Sequence, residues 1–143
     1  MSAANTLPVS GTSRRGLNAF LWITQTLLAV MFCAAGCMKI ATPIPELSKA
    51  MPWTGQLPEL FVRTMGVVDL AGGLGVLLPA LARIKPKLTV IAALCCVILQ
   101  VCAAIFHFTR GEVAMLPLNF VLLALSLFVL WGRSKGVPIA SRR

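Results

Sequence analysis

The sequence predicts an all-α integral membrane protein, an antiparallel bundle of four transmembrane helices. Of its 143 residues, 58% are hydrophobic and only 12% are charged, and the mean hydropathy is +0.89. Four almost uncharged runs follow one another along the chain, each close to the ~20 residues that a helix needs to cross the hydrocarbon core of a bilayer. The predicted helices cover residues 16–40, 60–82, 88–109 and 113–132.

These spans leave no room for a soluble domain, so residues 16–133 are predicted to form one membrane domain. We expect residues 1–15 to be a disordered cytoplasmic segment and residues 134–143 to be a basic cytoplasmic tail. The start of the chain also resembles a twin-arginine export signal, and Cys37 follows small residues as in a lipoprotein cleavage site. The first apolar run is longer than the core of a signal peptide, which favours an uncleaved first helix.

Basic residues are concentrated at one end of the predicted bundle. Nine of the thirteen lysines and arginines precede the first span, link the second to the third, or follow the fourth, whereas all four acids lie in the other half. By the positive-inside rule, this distribution places both termini in the cytoplasm. The net charge of +9 therefore indicates contact with anionic headgroups of the lipid bilayer, and it argues against a nucleic-acid partner.

One acid interrupts the glycine-rich second span. Asp69 shares a helical face with Gly66, so a neighbouring helix can approach it closely. A charged side chain at membrane depth costs about 2.5 to 3.5 kcal/mol by insertion scales, and such groups are usually turned inward and paired. We predict that Asp69 pairs with Lys39 at the end of the first span. His107 and Arg63 are the competing partners for the same carboxylate.

All four predicted helices have one polar side. Given their alternating directions, five polar residues are expected at one depth in the outer half of the membrane, with Gln100 below them. The candidate ligand-binding residues of this predicted pocket are Lys39, Arg63, Asp69, Gln100, His107 and Asn119. Three alternatives stay open: a lysine that snorkels to the headgroups, a third span whose polar stripe only packs against its neighbours, and a histidine that is neutral rather than changing charge near neutrality.

The cysteines form no recognisable motif. All five lie inside the predicted spans, and none has the Cys-x-x-Cys spacing of a redox site. We interpret them as small packing residues. No metal site is predicted, because a single histidine makes the usual zinc ligand sets hard to complete, although a site made by His107 and one cysteine stays open.

The loop between the first two spans holds four prolines and cannot be one continuous helix. A short amphipathic turn over residues 46–51 is expected to lie in the interface plane, with Trp53 as its membrane anchor. Loops of this length are often functional, which suggests a lid over the mouth of the bundle.

Three short motifs resemble the DoxX-like family of small four-helix membrane proteins. They are Gly36-Cys37-Met38-Lys39-Ile40 in span one, Arg63-x-x-Gly66-x-x-Asp69-x-x-Gly72-Gly73 in span two, and Pro117-Leu118-Asn119 in span four. The likeness extends over about residues 16–133. It implies an antiparallel bundle in a bacterial inner membrane, related to membrane subunits of quinone-linked thiosulfate oxidation and of oxidative-stress thiol systems. The family acid is commonly glutamate, whereas this chain has Asp69, and the family brings no agreed catalytic residues.

Three functions of different classes follow. The resemblance favours an accessory subunit of a quinone-linked or thiol and sulfur redox system, with a quinone as the implied cofactor and a redox protein as the partner, either as a single copy or as a homo-oligomer. Lys39, His107 or Asn119 would hold the quinone headgroup. The alternatives are a small-molecule binding or transport protein, and a membrane scaffold without a ligand. No catalytic residue and no reaction is predicted.

Overall fold

Residues 11–142 are described by a computed structural model of the chain, and they form five α-helices and no β-strand. The helices are α1 (Gly11–Ala41), α2 (Ile44–Ala50), α3 (Glu59–Ala82), α4 (Lys87–Thr109) and α5 (Leu116–Trp131). Helices α1, α3 and α4, together with the helical stretch Val113–Gly136 that contains α5, are each long and apolar enough to cross a membrane. The predicted all-α four-helix fold is therefore confirmed.

The helix bounds differ from the predicted ones mainly near the two ends of the chain. Helix α1 begins at Gly11, so residues 11–15 are helical, whereas residues 1–10 and the disorder predicted for them lie outside the described range. The fourth span opens with a 3-10 turn, Val113–Met115, and Pro117 stands in the first turn of α5, where its missing N–H breaks no helical hydrogen bond. A wider π-helical turn, Gly132–Gly136, follows α5.

Glycines let α1 and α3 pack with their backbones almost in contact. A Cβ atom added at Gly36 would lie 2.7 Å from the carbonyl oxygen of Gly66, and one added at Gly73 would lie 2.9 Å from the carbonyl oxygen of Ala29. No side chain fits at either place, and close approach of this kind is how transmembrane helices gain packing energy without a hydrophobic drive. The first contact joins the end of α1 to the start of α3, and the second lies earlier in α1 and later in α3, so the helices run antiparallel.

The bundle has two distinct ends, which we name by what they carry. The loop end holds α2, the start of α3 and the α4–α5 link. The terminal end holds the start of α1, the α3–α4 link and residues 132–142. That link turns within four residues because Arg83 and Lys85 both adopt the left-handed backbone region, with φ of 55° and 47°.

The segment between α1 and α3 folds onto the loop end as a lid. We define the lid as α2 with the 3-10 turn Pro52–Gly55. On its inner face, Leu47 and Trp53 form a small apolar cluster with Val62 of α3. Trp53 is only 7% exposed, and its ring packs edge-on to Phe106 at 6.0 Å between centroids. The prediction that Trp53 anchors the loop in the membrane interface is therefore wrong, because the ring is used for packing inside the protein.

The bundle exposes large apolar side chains that a water-soluble protein would bury, and it buries several polar ones. Large apolar side chains are exposed along every long helix, among them Phe20, Leu60, Ile98, Phe108 and Phe120. The buried positions include polar side chains such as Gln25, Asp69, Thr89, Gln100, Asn119 and Ser126. This is the arrangement expected when lipid is the solvent, since an apolar exterior costs nothing there and polar groups need partners inside.

Candidate functional site

The predicted pair between span one and span two is present. Lys39 Nζ donates to Asp69 Oδ2 at 2.5 Å, and the two side chains are only 14% and 8% exposed. The glycine contact between Gly36 and Gly66 lies between them in the helix interface and brings the two backbones close enough for the lysine stem to fold inward. Lys39 therefore does not snorkel to the headgroups, and its charge is compensated inside the protein.

The predicted site residues do not share one depth. Asp69 follows Arg63 by six residues in α3, which places it about 9 Å deeper at a rise of ~1.5 Å per residue. A Cβ atom added at Gly72 would lie 3.1 Å from Cys96 Sγ, so in the antiparallel register Asp69 is level with the part of α4 near Gln100. The acid is thus the deep member of the site, and the lysine side chain bends down to reach it.

Arg63 binds the end of α1 rather than Asp69. Its Nη1 donates to the backbone oxygens of Lys39 at 2.6 Å and Thr42 at 2.8 Å. Its Nη2 donates to Glu59 Oε1 at 2.8 Å, one helical turn earlier in α3. The last carbonyls of a helix lack intrahelical partners, so this guanidinium caps α1 and fixes it to α3.

His107 also has a partner other than Asp69. Its Nδ1 lies 2.6 Å from Glu112 Oε2 and donates to it, since an ionised carboxylate only accepts. Arg110 Nε donates to the second oxygen, Oε1, at 3.2 Å. Burial alone would raise the pKa of Glu112, but the hydrogen bonds from His107 and Arg110 outweigh it and hold the pKa below its usual range. His107 is therefore not the competing partner of the Asp69 carboxylate that the sequence left open.

The Trp53 ring connects the two ionic groups of the loop end. Lys39 Nζ lies 5.8 Å from the ring centroid, within the range of a cation–π contact. The His107 ring is 6.5 Å away on the same tryptophan. Titratable groups thereby lie on both sides of Trp53, with Asp69 and Lys39 towards the interior and His107 and Glu112 at the mouth. We call these five residues the loop-end site.

Two buried amides, one on α4 and one on α5, have atoms without hydrogen-bond partners. Gln100 is 5% exposed and its Oε1 has no donor, while Asn119 is 9% exposed and its Nδ2 has no acceptor. Amide oxygen and nitrogen positions are assigned from their surroundings, so each amide offers one free donor or acceptor. Buried polar atoms without partners are uncommon in folded proteins, and each needs an explanation.

Among the residues that the structure describes, the cysteines and other potential metal ligands form no metal-binding site. In residues 11–142, no three His, Cys, Asp or Glu side chains are grouped so that they could hold a metal ion. All five thiols are free, and Cys37, Cys95 and Cys102 are exposed on the lipid-facing surface. Cys96 is buried in the main apolar core, as expected of a packing residue.

A polar cluster at the terminal end was not predicted. Arg133 is only 3% exposed, and its Nε donates to Gln25 Oε1 at 2.9 Å. Its Nη1 donates to Asn18 Oδ1 at 2.8 Å, and the guanidinium lies 4.9 Å from the Trp22 ring. Gln25 Nε2 in turn donates to the carbonyl oxygen of Val76 at 2.5 Å. In the sequence, Arg133 was interpreted only as a cytoplasmic flanking charge. The signal that could have indicated this cluster was Gln25, a polar side chain in the middle of span one that needs a hydrogen-bond partner.

A partly open cavity of about 890 Å³ also lies at the terminal end, between the start of α4 and residues 133–141. None of the six predicted site residues lines it. The loop-end site is instead closed by its own ion pairs and by the lid, so the polar side chains predicted to line an open pocket are largely engaged with one another.

Comparison with known proteins identifies one family. The family model described as the DoxX-like family matches residues 23–129, which is most of the chain and includes the lid and all six predicted site residues. No match was found among curated proteins or among solved structures.

Proposed function

The chain belongs to the DoxX-like family, and we propose that it is an accessory subunit of a quinone-linked redox system in which Gln100 and Asn119 hold the quinone headgroup and the loop-end site supplies protons. The chemistry of the buried side chains described above supports the quinone and the role of the site. The resemblance to membrane subunits of redox systems supports the redox partner protein.

The observation that carries the proposal is the pair of unpartnered amides. A quinone headgroup has two carbonyl oxygens, which accept hydrogen bonds, and the corresponding quinol has two hydroxyl groups, which donate them. Asn119 Nδ2 is a buried donor without an acceptor, and Gln100 Oε1 is a buried acceptor without a donor. A ligand that both accepts and donates hydrogen bonds would satisfy both atoms. A buried polar atom without its hydrogen bond costs about 1 to 3 kcal/mol, and the ligand would remove this cost at each atom.

The ionic groups of the loop-end site are suited to supply the protons that quinone reduction needs. Reduction of a quinone takes up two electrons and two protons. In our proposal a redox partner protein that oxidises a thiol or a reduced sulfur compound supplies the electrons. His107 and Glu112 stand at the mouth and Lys39 and Asp69 below them, so titratable side chains that can give or take a proton lie on both sides of Trp53.

The charge distribution supports an orientation for this arrangement. We propose that both termini are cytoplasmic and that the loop end faces outward in a bacterial inner membrane, because the basic residues are concentrated at the terminal end. The redox partner protein would then meet the lid from the outer side.

Leucine substitutions of the two amides test the proposal. We expect Asn119→Leu and Gln100→Leu each to reduce the quinone that copurifies with the protein about tenfold, a loss of about 1.4 kcal/mol, measured by solvent extraction and mass spectrometry. The folded state should lose little stability, because replacing an unpartnered buried polar group by an apolar group of similar size is close to neutral. Helicity and melting temperature by circular dichroism check this expectation.

The matched control is Ser126→Ala in the same bundle. Ser126 is fully buried, but its hydroxyl already donates to the Leu122 carbonyl oxygen at 2.7 Å, so it has nothing to offer a ligand. Quinone content should be unchanged in this variant. Equal quinone content in the two leucine variants, the control and the natural protein would contradict the proposal.

A structural scaffold is the second candidate, and one observation favours it. Lys39, Asp69, Arg63, His107 and Glu112 are all paired within the protein, as they would be if their only task were to hold the helices together. A scaffold predicts the opposite outcome for the amide variants, with no ligand lost from either. The same two variants therefore separate the candidates.

A further inference from the structure

The cavity at the terminal end is formed by the C-terminal tail folding back over the bundle. The backbone N–H of Arg142 donates to the carbonyl oxygen of Arg83 at 2.9 Å, which ties the tail to the α3–α4 link. The cavity of about 890 Å³ lies beneath this bridge, between the tail, the end of the fourth span and the first turns of α4. It is separate from the loop-end site, which lies at the other end of the bundle.

The lining of the cavity is basic and contains no acid. Lys85, Lys87 and Arg133 all line it, and no aspartate or glutamate does. Arg133 is 3% exposed, and its Nε and Nη1 are engaged, but its Nη2 has no hydrogen-bond partner. A buried guanidinium nitrogen without an acceptor is costly, and an anion in the cavity would supply the missing acceptor.

Another part of the cavity lining is apolar. Leu88 and Ile91 line it from α4, and both are about half exposed on the surface that meets lipid. Ile139 lines it from the tail. The cavity thus combines three cations with an aliphatic wall that continues onto the lipid-facing side of the bundle. A soluble anion would use only the first of these features.

We propose that this cavity binds the phosphate group of an anionic phospholipid, with the acyl chains lying along Leu88 and Ile91. Arginine and lysine are the side chains that recognise phosphate, and basic pockets between transmembrane helices on the cytoplasmic side bind lipid headgroups. The anionic headgroup would compensate the charge of Arg133 and hold the C-terminal tail against the bundle.

Binding of phosphatidylglycerol to the purified protein in detergent, followed by native mass spectrometry, tests the proposal. Each lysine near a membrane surface contributes about fivefold in affinity, so Lys85→Gln/Lys87→Gln should bind phosphatidylglycerol about 25-fold more weakly. Arg14→Gln/Arg15→Gln is the matched control, since it removes the same charge from two exposed residues of the terminal end that do not line the cavity. That variant should bind as the natural protein does.

Two further ligands distinguish the source of the phosphate. Phosphatidylcholine should bind much more weakly than phosphatidylglycerol, and millimolar inorganic phosphate should not displace the bound lipid. Displacement by inorganic phosphate would mean that the cavity takes a soluble phosphate, and it would overturn the lipid assignment. Equal binding of the two lipids, or equal losses in the two double variants, would show that no phosphate site exists there. Unchanged melting temperatures confirm that the variants are folded.

Discussion

The ion pair between Lys39 and Asp69 can be tested directly through the stability of the fold. Removing one partner of a buried pair typically costs about 3 to 5 kcal/mol, because the other charge is left without compensation. An isolated aspartate can escape part of this cost by taking up a proton, which at pH 7 costs about 4 kcal/mol from the reference pKa of free aspartic acid. With side chains only 14% and 8% exposed, this pair belongs in the buried class. We therefore expect Lys39→Met to lower the free energy of unfolding by about 3 to 4 kcal/mol.

The double variant gives the decisive comparison. Asp69→Asn alone should cost a similar amount, since it leaves the lysine charge unpaired. Lys39→Met/Asp69→Asn leaves no charge behind, so its loss should be only about 1 to 2 kcal/mol. The coupling between the two positions is then several kcal/mol, well above the few tenths expected of independent sites.

Unfolding in mixed micelles, followed by circular dichroism as the fraction of denaturing detergent is raised, measures these free energies. Glu59→Gln is the control, because its carboxylate is 65% exposed and such surface pairs contribute about 0.5 kcal/mol or less. Additive losses in the double variant would refute the pairing. A loss below about 1 kcal/mol in Lys39→Met alone would show that the lysine reaches the headgroups instead.

Three further predictions follow from the same contacts. Gly36→Ala should destabilise the bundle by about 1 to 3 kcal/mol because its Cβ would meet α3, whereas Gly16→Ala, which meets nothing within 4 Å, should be neutral or stabilising in thermal unfolding. Folding lowers the pKa of Glu112, which stabilises the folded state. This stabilisation is complete above the pKa that Glu112 has in the unfolded chain, and it is lost as the pH falls through the lower pKa of the folded protein. The melting temperature should therefore fall less steeply in Glu112→Gln than in the natural protein between about pH 5 and about pH 3, and parallel curves would contradict this. In a cysteine-free background, a reporter at exposed Lys49 should be labelled from outside intact cells and one at exposed Lys135 only after permeabilisation, and the reverse pattern would invert the topology.

The fold was predictable because span length and hydropathy depend on local sequence. A run of about 20 apolar residues commonly crosses a bilayer as an α-helix. The basic links then indicate which helix ends lie on the same side of the membrane. The pairing of Lys39 with Asp69 was also predictable. The small residues Gly36 and Gly66 mark where two helices can touch, and an acid at membrane depth needs a cation nearby.

The remaining contacts depend on geometry that the sequence does not specify. His107 pairs with Glu112, because the helix ends at Thr109 and the chain turns back at Gly111, whose φ of 70° favours glycine. Nothing in the spacing of polar residues distinguishes this local partner from the distant Asp69. Arg133 illustrates the same point, since its buried position depends on how α5 packs against the start of α1.

The contacts between the helices and the lid indicate where the proposed ligand could enter the loop-end site. Helices α1 and α3 are joined by backbone-to-backbone packing at Gly36, which leaves no room for a ligand between them. Within the described residues, one side-chain hydrogen bond joins Gln56, which follows the lid, to Arg110, which follows α4, and that bond is exposed and therefore contributes little. Trp53 would leave with the lid, and its ring now fills the space between Lys39 Nζ and His107. In our proposal, a planar quinone headgroup enters between the lid and α4, takes the place of that ring and passes both titratable pairs.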